Sequence, residues 1–470
     1  MIIHVVSSGE TLWQISNRYG VSVSEVISIN QLLNPNRLVV GQALVIPIEA
    51  TVYIVQPGDA LWRIAQQYGT TIQTIVQYNQ ITNPNNIYPG LRLIIPAQRH
   101  IVRPGETLFQ IAGLYGVTLQ DIIKVNRIEN PDIIYPGTVL VIPVKPRPPI
   151  DVNGYIYILG QEAVPIVEEV GEYLTYLSPF AYLIREDGSL QPIGDEPAIQ
   201  AGRNRGAIPM MSITNFTSTA TGANLAHIVL STPQIVERLL DNVINIMRTK
   251  GYEGLNVDFE NVLPEDRQNY NNFLTRTVER LHPLGYFVST AVAPKTSGTQ
   301  VGLLYEAHDY EAHGRIVDFV ILMTYEWGYR KGPPQAISPL NQIIRVLNYA
   351  VSVIPREKIF FGFQIYARDW RLPFVQGQEA ETFSVQEAIQ RAIRYGAVIQ
   401  YDIPTQSPFF RYTDEQGVRH EVWFEDARSA QARFDTVKNY GLRGISYWAL
   451  GYPFPQNWVL LEDNFTIRKG

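Results

Sequence analysis

The sequence predicts an α/β protein in which a (β/α)8 TIM barrel follows three small βααβ modules. Three observations lead to this fold class. Residues 1–144 contain the same pattern three times, residues 145–150 are rich in proline, and residues 151–470 alternate apolar strand-like runs with amphipathic segments. Such alternation is typical of parallel sheets covered by helices, and eight units over this length favour a closed barrel.

The three repeats keep one register without internal gaps. Equivalent positions lie 49 and then 47 residues apart, as in Gly9, Gly58 and Gly105. In each copy, a short strand precedes apolar residues at i, i+3 and i+7, which indicate one face of a helix. Helix-ending glycines and helix-capping hydroxyl residues follow the same register. The glycines are Gly20, Gly69 and Gly116, and the caps are Thr11 and Thr107 before the first helix and Ser22, Thr71 and Thr118 before the second.

A second strand closes each repeat, with Ile-Pro at Pro47, Pro96 and Pro143. The predicted domains are therefore modules at 1–48, 51–97 and 98–144, a stiff proline-rich linker at 145–150 and a barrel at 151–470. A small α+β insertion is predicted after the seventh barrel strand, within residues 371–425. A doubly wound open sheet is the alternative fold, but no Gly-rich phosphate-binding turn supports it.

The repeats resemble the LysM module, a family that binds glycans containing N-acetylglucosamine, such as peptidoglycan and chitin. The resemblance implies a sugar groove between the loop after the first strand and the loop before the last. Taken singly, each groove residue is better explained as a turn former, but three copies in register favour glycan binding. The implied residues are Gly9, Thr11, Leu12 and Asn34, then Gly58, Leu61 and Asn83, then Gly105, Thr107, Leu108 and Asn130.

The composition excludes several classes of protein. Of the 470 residues, 46% are hydrophobic and 17% are charged, the net charge is −6, and cysteine is absent. Disulfides, thiolate metal sites and a cysteine nucleophile are therefore excluded, and the acidic balance does not favour nucleic-acid binding. The apolar runs are too short to span a bilayer, and the N-terminal residues show no secretory signal pattern.

The segment GYEGLNVDFE, residues 251–260, carries the strongest chemical signal of the barrel domain. Side chains alternate across a strand, so Asn256, Asp258 and Glu260 share the face toward the barrel interior. Two carboxylates are costly to bury without a purpose, and they lie at the strand's C-terminal end, where barrel enzymes have their active sites. Spacing alone leaves a buried polar network as an equally good explanation.

Four segments resemble the motifs of glycoside hydrolase family 18. GYEGLNVDFE is similar to the D-x-x-D-x-D-x-E of the fourth strand, and MTYE at 323–326 to the M-x-Y-D of the sixth. YARDW at 366–370 is similar to the Y-G-R of the seventh strand, and GISYWALG at 444–451 to the G-x-x-x-W of the eighth. The chain departs from the family pattern at Glu253, Asn256, Glu326 and Ala367. Together with the LysM-like repeats, it resembles the cortical-fragment-lytic N-acetylglucosaminidases of bacterial spores.

This resemblance implies a retaining, substrate-assisted hydrolysis. In it, Glu260 is the general acid and then the base, Asp258 holds the substrate's acetamido N–H, and Tyr325 bonds the acetamido oxygen. Asn256, Glu326 and Trp448 are implied to complete the substrate site. At the rim, Asn215, Phe180 and Tyr366 are further candidate substrate contacts, as are Trp370, Trp327 and Trp423, and packing explains each of them about equally well.

The sequence predicts no metal and no other cofactor. His308 and His313 lack a carboxylate–histidine pattern, and we expect them to be exposed histidines without a ligand. The expected partners are peptidoglycan or chitin-type N-acetylglucosamine polymers, with no nucleic acid, and the chain is expected to be a monomer.

The predicted function is a spore-cortex peptidoglycan N-acetylglucosaminidase located in the spore cortex or coat or at the cell wall. The alternatives are a chitinase and a non-catalytic glycan-binding protein of the spore or wall. The presence of Glu260 argues against the non-catalytic alternative, because such proteins of the family typically lack the acid.

Overall fold

Three strand–helix–helix–strand modules form the N-terminal part of the chain in the computed structural model. The structure describes residues 1–470 except 49, 69, 80, 85–86, 97–98, 116, 118, 127, 143–146 and 218–219. The sequence predictions for Gly69, Gly116, Thr118 and Pro143, and for linker residues 145 and 146, therefore lie outside the described residues. The described chain divides into two compact units, Met1–Pro148 with Pro455–Phe465 and Pro149–Phe454 with Thr466–Gly470.

Each module has the predicted element order, and its two strands pair antiparallel. Apolar residues of the first helix pack against the strands to form a separate small core in each module. The elements are β1 (Ile2–Val5), α1 (Leu12–Tyr19), α2 (Val23–Asn30) and β2 (Ala43–Ile46); β3 (Ala50–Ile54), α3 (Leu61–Gln67), α4 (Ile72–Asn79) and β4 (Arg92–Pro96); β5 (Arg99–Ile101), α5 (Leu108–Tyr115), α6 (Leu119–Val125) and β6 (Val139–Val141).

Helix caps follow the sequence closely. Thr11 and Ser22 both form capping boxes at the starts of α1 and α2, and the Thr107 hydroxyl accepts the Gln110 N–H at α5. Ala60 leaves α3 without a side-chain cap. Gly20 ends α1 at φ 66°, the left-handed conformation that glycine tolerates best.

The repeated asparagine at the end of each second helix has a structural role. The Asn30 side chain donates to the Val45 carbonyl at 2.8 Å and accepts the Val45 N–H at 2.7 Å. Asn79 and Asn126 make the equivalent pairs of bonds to the closing strands of their modules. The asparagines recur because each one satisfies backbone groups that join the second helix to the last strand.

The second unit contains the predicted barrel and insertion. Its strands are β7 (Pro149–Ile156), β8 (Tyr176–Pro179), β9 (Tyr182–Leu183), β10 (Ile208–Thr214), β11 (Gly254–Asp258), β12 (Phe287–Val292), β13 (Phe319–Leu322), β14 (Ile359–Gln364), β15 (Tyr366–Leu372), β16 (Glu381–Ser384), β17 (Gln400–Asp402), β18 (Ser407–Thr413), β19 (Arg419–Trp423), β20 (Gly444–Trp448) and β21 (Thr466–Ile467). Within the described chain, the eight strands β7, β8, β10, β11, β12, β13, β14 and β20 pair in parallel and close into a ring. The predicted (β/α)8 fold is therefore confirmed.

Helices follow most barrel strands, and their apolar stripes face the sheet. In α10, for example, Pro233 occupies the first turn, Gly251 ends the helix in the left-handed conformation, and an apolar row between them is buried. The helices are α7 (Ala163–Val170), α8 (Glu196–Asn204), α9 (Ala223–Leu230), α10 (Pro233–Lys250), α11 (Arg267–Leu281), α12 (Tyr310–Ile316), α13 (Leu340–Val353), α14 (Val385–Tyr395), α15 (Ala427–Tyr440) and α16 (Pro455–Asn464). Short 3₁₀ helices lie at Gly160–Glu162, Gly171–Tyr173, Pro264–Asp266, His282–Leu284 and Arg356–Lys358.

The insertion after the seventh strand is α+β, as predicted, but it is larger than the segment expected within residues 371–425. It is a five-stranded antiparallel sheet in the order β16-β15-β19-β18-β17, and α14 packs beside it. The insertion begins at Tyr366, directly after β14. It therefore starts at the C-terminal end of a barrel strand, where barrel enzymes have their active sites.

Aromatic rings fill the barrel interior near the N-terminal ends of the strands. The ring centroids of Phe319 and Phe360 lie 4.4 Å apart, and that of Tyr176 lies 5.5 Å from Phe319. These residues stand near the N-terminal ends of their strands. The polar residues of the barrel interior therefore lie toward the C-terminal ends of the strands, where the candidate site forms.

The unit boundaries differ from the predicted domains at both ends of the barrel. Strand β7 begins at Pro149, inside the predicted linker. Helix α16 groups with the modules: Gln456 Nε2 donates to Asn30 Oδ1 at 2.7 Å, and the Met1 ammonium pairs with Asp463 at 2.8 Å. These partners lie more than 400 residues away in the sequence, so no local pattern indicates the grouping.

No helix among the described residues is long and apolar enough to cross a membrane.

Candidate active site

Strand β11 delivers two carboxyl groups to the C-terminal end of the barrel. Asp258 is its last residue and Glu260 follows two positions later, while Asn256 lies one pleat deeper on the same face. Strand β11 is held in parallel register between β10 and β12, with Asn256 opposite Ser212 and Ser289. The side chains of Asn256, Asp258 and Glu260 therefore share one face, as the two-residue period of a strand predicts.

Asn256 is completely buried below the carboxyl pair. Its Oδ1 accepts the Tyr155 hydroxyl at 2.8 Å, and its Nδ2 donates to Ser289 Oγ at 3.0 Å. Both ends of the amide are thus used by barrel side chains. Expected as a substrate contact, Asn256 instead lies beneath the carboxyl pair as a support.

Asp258 is buried and incompletely hydrogen-bonded. Its Oδ1 has no hydrogen-bond partner among the residues that the structure describes. Burial raises the pKa of Asp258 well above its usual range, and the charge of Glu260 adds to the effect. A buried acceptor of this kind is costly unless a ligand or a shared proton satisfies it.

Glu260 is protonated more readily than an ordinary glutamate. Burial raises its pKa to about 7, and the nearby charge of Glu326 contributes in the same direction. A buried and a half-buried carboxyl group that repel each other's charge retain a proton at neutral pH. This is the state that a general acid requires before it acts.

Side chains from two neighbouring loops bond the backbone on both sides of Glu260. Asn215 Oδ1 accepts the Glu260 N–H at 2.8 Å, and Asn215 Nδ2 donates to the Glu260 carbonyl at 2.7 Å. His308 Nε2 donates to the carbonyl of Phe259 at 2.9 Å. Asn215 was expected at the rim as a substrate contact, but both ends of its amide bond the backbone of the predicted acid.

The two histidines expected at the surface are buried. His308 Nδ1 accepts the Ala293 N–H at 2.9 Å, so Nε2 carries the proton that bonds Phe259. Burial lowers the pKa of His308 to about 4 and that of His313 to about 3, so both rings are neutral at physiological pH. The expectation of exposed histidines was therefore wrong. His308 lies in the loop before α12 and bonds the backbone after β12, and His313 lies in α12 with its ring against Thr290 of β12. Sequence spacing carried no signal for this.

Tyr325 follows β13 and faces the carboxyl pair. The charges of Asp258, Glu260 and Glu326 each add to the raised pKa of its phenol, whose main cause is burial. The hydroxyl therefore stays protonated and can donate. Gly362 on the next strand makes room for the ring, since a Cβ there would lie 3.0 Å from Tyr325 Cε1 and 2.2 Å from the Leu322 carbonyl oxygen.

Glu326 and Tyr366 form one cluster with Arg368. The guanidinium of Arg368 pairs with both carboxylate oxygens of Glu326, at 2.8 and 2.9 Å, and the Tyr366 hydroxyl donates to the same carboxylate. Glu326 has a φ of 71°, an uncommon backbone conformation for this residue type. The glutamate side chain is one methylene longer than the aspartate of the family motif, and its carboxylate reaches the Arg368 guanidinium on the insertion strand β15.

Aromatic rings surround Trp448 at the end of β20. The centroid of Phe180 lies 4.9 Å from that of Trp448 in an edge-on arrangement, and Tyr155 lies 5.6 Å away. Trp448 and Phe180 remain partly exposed. Trp370 and Trp423 are buried in the insertion, where their indole N–H groups donate to Gly332 and Glu421, and Trp327 is half-buried.

The predicted glycan-binding positions of the modules fall into three structural groups. Gly9, Gly58 and Gly105 adopt φ values of 80°, 87° and 84°, so each needs glycine for its turn. The three leucines, Leu12, Leu61 and Leu108, are buried in the module cores. Thr11 and Thr107 cap helices, and Asn130 Oδ1 accepts the Asp132 N–H at 3.1 Å. The Asn34 carbonyl accepts the Arg37 N–H at 3.1 Å, and Asn83 lies in the equivalent loop of the second module.

The same loops are ordered by acidic residues that were not among the predicted glycan-binding positions. Glu10 Oε2 accepts the Ser7 N–H at 2.8 Å and His4 Nε2–H at 2.9 Å. Asp59 and Glu106 accept the equivalent backbone N–H groups, together with Tyr53 and His100. The recurrence of an acid at this position in all three repeats was the available sequence signal.

Comparison with known proteins assigns this barrel to a protein family. Residues 181–452 match the family model described as Glycosyl hydrolases family 18, more than half of the chain. The chain belongs to glycosyl hydrolases family 18. The candidate carboxyl pair lies inside the matched region of this family 18 chain, and residues 4–47, 53–96 and 100–143 match the LysM domain. No group of three His, Asp or Glu side chains in the described part of the chain could hold a metal ion.

Similarity to individual family 18 proteins extends over the full length. The chain is 44% identical to the cortical fragment-lytic enzyme of Bacillus subtilis (strain 168), covering 100% of this chain and 99% of that protein. The crystal structure of the spore cortex-lytic enzyme SleL of Bacillus megaterium QM B1551 superposes with a TM-score of 0.80 at 35% identity, covering 100% and 99% of the two chains. A chitinase from Chromobacterium violaceum ATCC 12472 matches 67% of this chain and 98% of its own, with a TM-score of 0.62 at 25% identity.

Proposed function

We propose that this protein is a spore-cortex peptidoglycan N-acetylglucosaminidase that acts by retaining, substrate-assisted hydrolysis. The LysM modules would hold the enzyme on the glycan while the barrel cleaves after N-acetylglucosamine. The observation that carries the reaction type is a pair of carboxyl groups in a family 18 barrel. Asp258 is buried, with no partner for its Oδ1 among the described residues, and Glu260 is half-buried, with a pKa of about 7.

In the first step, the proton of Glu260 passes to the glycosidic oxygen as the bond to C1 breaks. The carbonyl oxygen of the substrate's own 2-acetamido group forms the new bond to C1 and closes an oxazolinium ring. In the second step, water attacks C1, its proton returns to Glu260, and the ring opens to restore the acetamido group. The acetamido oxygen attacks the face of C1 opposite the leaving group, and water then attacks the face that this group left. Each step inverts C1, so the anomeric configuration is retained overall.

Asp258 and Tyr325 have complementary positions for the acetamido group. Oδ1 of Asp258 lacks a partner among the described residues and suits the acetamido N–H, whose positive character grows as the ring closes. The protonated Tyr325 hydroxyl suits the acetamido oxygen and fixes its approach to C1. Trp448 and Phe180 supply an apolar surface for the sugar bound there.

The substrate assignment rests on similarity along the whole chain. Relatives that match both the modules and the barrel include a cortical fragment-lytic enzyme and a spore cortex-lytic enzyme. The chitinase matches a smaller share of this chain at lower identity. We therefore place this protein at the spore cortex or cell wall, with peptidoglycan as its substrate.

Mass spectrometry of the products from purified cortex fragments tests this function. We expect new fragments that end in a reducing N-acetylglucosamine, identified by borohydride reduction before analysis. Chitin oligosaccharides are assayed in parallel, and Glu260→Gln protein is the negative control. Fragments that end in reducing muramic acid would contradict the cleavage site, and cleavage of chitin oligosaccharides with intact cortex fragments would make the protein a chitinase.

A further inference from the structure

An exposed aromatic residue occupies the same position in all three modules. Trp13, Trp62 and Phe109 are 67%, 54% and 76% exposed, although the leucine directly before each of them is buried in a module core. They are spaced 49 and 47 residues apart, the register of the repeat. None of them contributes to a module core, so their recurrence has no explanation in folding.

The backbone that presents these rings is well ordered by its own contacts. Each ring lies on the second residue of the first helix, just after the loop that Glu10, Asp59 or Glu106 holds through a backbone N–H and a side chain of the first strand. Capping by Thr11 and Thr107 further orders two of the three helix starts. Presenting a rigid ring in this way costs a ligand little ordering entropy.

The repetition indicates what these rings contact. A protein partner or a second copy of this chain does not generally offer three equivalent surfaces, whereas a polysaccharide repeats its own unit. The apolar face of a pyranose ring packs on an aromatic face. The leucines implied as groove residues are buried, so the ring beside each one provides the exposed apolar surface at that loop.

We propose that Trp13, Trp62 and Phe109 are three equivalent stacking surfaces for pyranose rings of an N-acetylglucosamine polymer. This inference rests on the proposed function, which it deepens by naming how the modules grip the glycan. Three weak contacts on one chain reinforce one another, because binding of the first makes the others intramolecular.

Co-sedimentation of the full-length protein with insoluble cortex peptidoglycan tests the proposal. We expect each single alanine variant to lose about tenfold in apparent affinity or less, and the triple variant Trp13→Ala, Trp62→Ala, Phe109→Ala to lose more than about 10²-fold. Phenylalanine at both tryptophan positions should retain most of the binding. The kcat on saturating soluble cortex fragments reports whether the barrel of each variant is folded.

The matched control replaces Val5, Ile54 and Ile101 by alanine, since these aliphatic residues are also in register and exposed. Wild-type sedimentation by the aromatic triple variant, or an equal loss in the control, would overturn the stacking proposal. Loss of self-association with unchanged glycan binding would overturn it as well. The cortex-fragment assay of the wild type reports on the proposed function separately.

A second inference rests on independent observations in the barrel. The peptide groups on both sides of Glu260 are held by side chains from outside its strand: Asn215 at the end of β10 and His308 in the loop before α12. His308 is itself fixed by the Ala293 N–H, and Lys295 Nζ donates to the His308 carbonyl at 2.9 Å. Glu260 follows the end of β11, so the strand ladder does not hold it.

We infer that Asn215 and His308 are positioning residues that fix the direction of the Glu260 carboxyl group. The inference rests on the proposed role of Glu260 as the general acid. A misplacement of about 1 Å at a reacting group costs on the order of 10²-fold in rate, so loss of these backbone contacts should act on turnover and leave substrate binding largely intact.

Kinetics of Asn215→Ala and His308→Gln on soluble cortex fragments test this role. For Asn215→Ala we expect kcat to fall by about 10- to 100-fold with KM nearly unchanged, and the alkaline limb of the pH profile to move with the altered surroundings of Glu260. Glutamine keeps an N–H donor at position 308, so His308→Gln should retain more activity than His308→Ala.

The matched control is Asn242→Ala, which removes another side-chain bond to a backbone carbonyl, to Gly188 at 2.9 Å, from a helix on the outside of the barrel. An Asn215→Ala enzyme with the kcat and pH profile of this control would overturn the positioning role. If Glu260→Gln were also fully active, the proposed function itself would be wrong, so the two failures are distinguishable.

Discussion

Replacement of Glu260 by glutamine is expected to lower the rate of cortex-fragment hydrolysis by about 10²- to 10⁴-fold while glycan binding stays intact. Glutamine keeps the size of the side chain but cannot deliver a proton to the glycosidic oxygen or accept one from water. Single-turnover kinetics on soluble fragments measure the rate, and co-sedimentation with insoluble cortex measures binding.

Glu253→Gln is the matched control, because Glu253 precedes the same strand but is exposed. It should hydrolyse fragments like the wild type. Equal activity of Glu260→Gln and Glu253→Gln would show that the acid lies elsewhere.

The titration of Glu260 also sets the pH dependence of the wild-type enzyme. Burial raises its pKa to about 7, so the carboxyl is protonated below that pH and loses its proton above it. Since the acid form is the reactive one, kcat/KM should fall as the pH rises through about 7. A profile that stays flat to pH 9 would contradict this assignment.

Replacement of Asp258 by asparagine is expected to lower the rate by about 10²- to 10³-fold. The amide can still occupy the buried position, but it lacks the negative charge that Asp258 carries while the proton retained by the pair is on Glu260. That charge offsets the positive charge on the forming oxazolinium ring. The loss should fall mainly on kcat, because the positive charge develops in the transition state.

This loss should not come from unfolding. Asp258 is buried with one oxygen unpartnered among the described residues, so removal of its charge should keep or raise the melting temperature. Asp241→Asn is the control, since Asp241 is an exposed partner of Arg280 on the barrel surface. An Asp258→Asn enzyme as fast as this control would exclude the proposed role.

The repeats and the barrel could be predicted because both depend on local patterns. The register of the modules is carried by glycine turns, capping residues and apolar spacing within about ten residues of one another. The inward face of β11 follows from the two-residue period of any strand. These properties belong to the chain before it folds, so Asp258 and Glu260 could be placed on one face without coordinates.

Other assignments depend on contacts that no local pattern contains. Asn215 and His308 meet the backbone near Glu260 from 45 and 49 residues away in the chain, so no local pattern indicated these contacts or the burial of His308. Gln456 reaches Asn30 across 426 residues, so α16 belongs with the modules rather than with the barrel domain that precedes it.

The sequence by itself determined the three modules, the barrel and the identity of the candidate acid pair, because period and motif reside in neighbouring residues. Only the tertiary structure decided the environment of that pair: the burial that gives Glu260 a pKa of about 7, the unpartnered oxygen of Asp258 and the side chains that hold the backbone. The physical reason is that protonation and hydrogen bonding depend on what surrounds a group in space, and distant parts of the chain supply those surroundings.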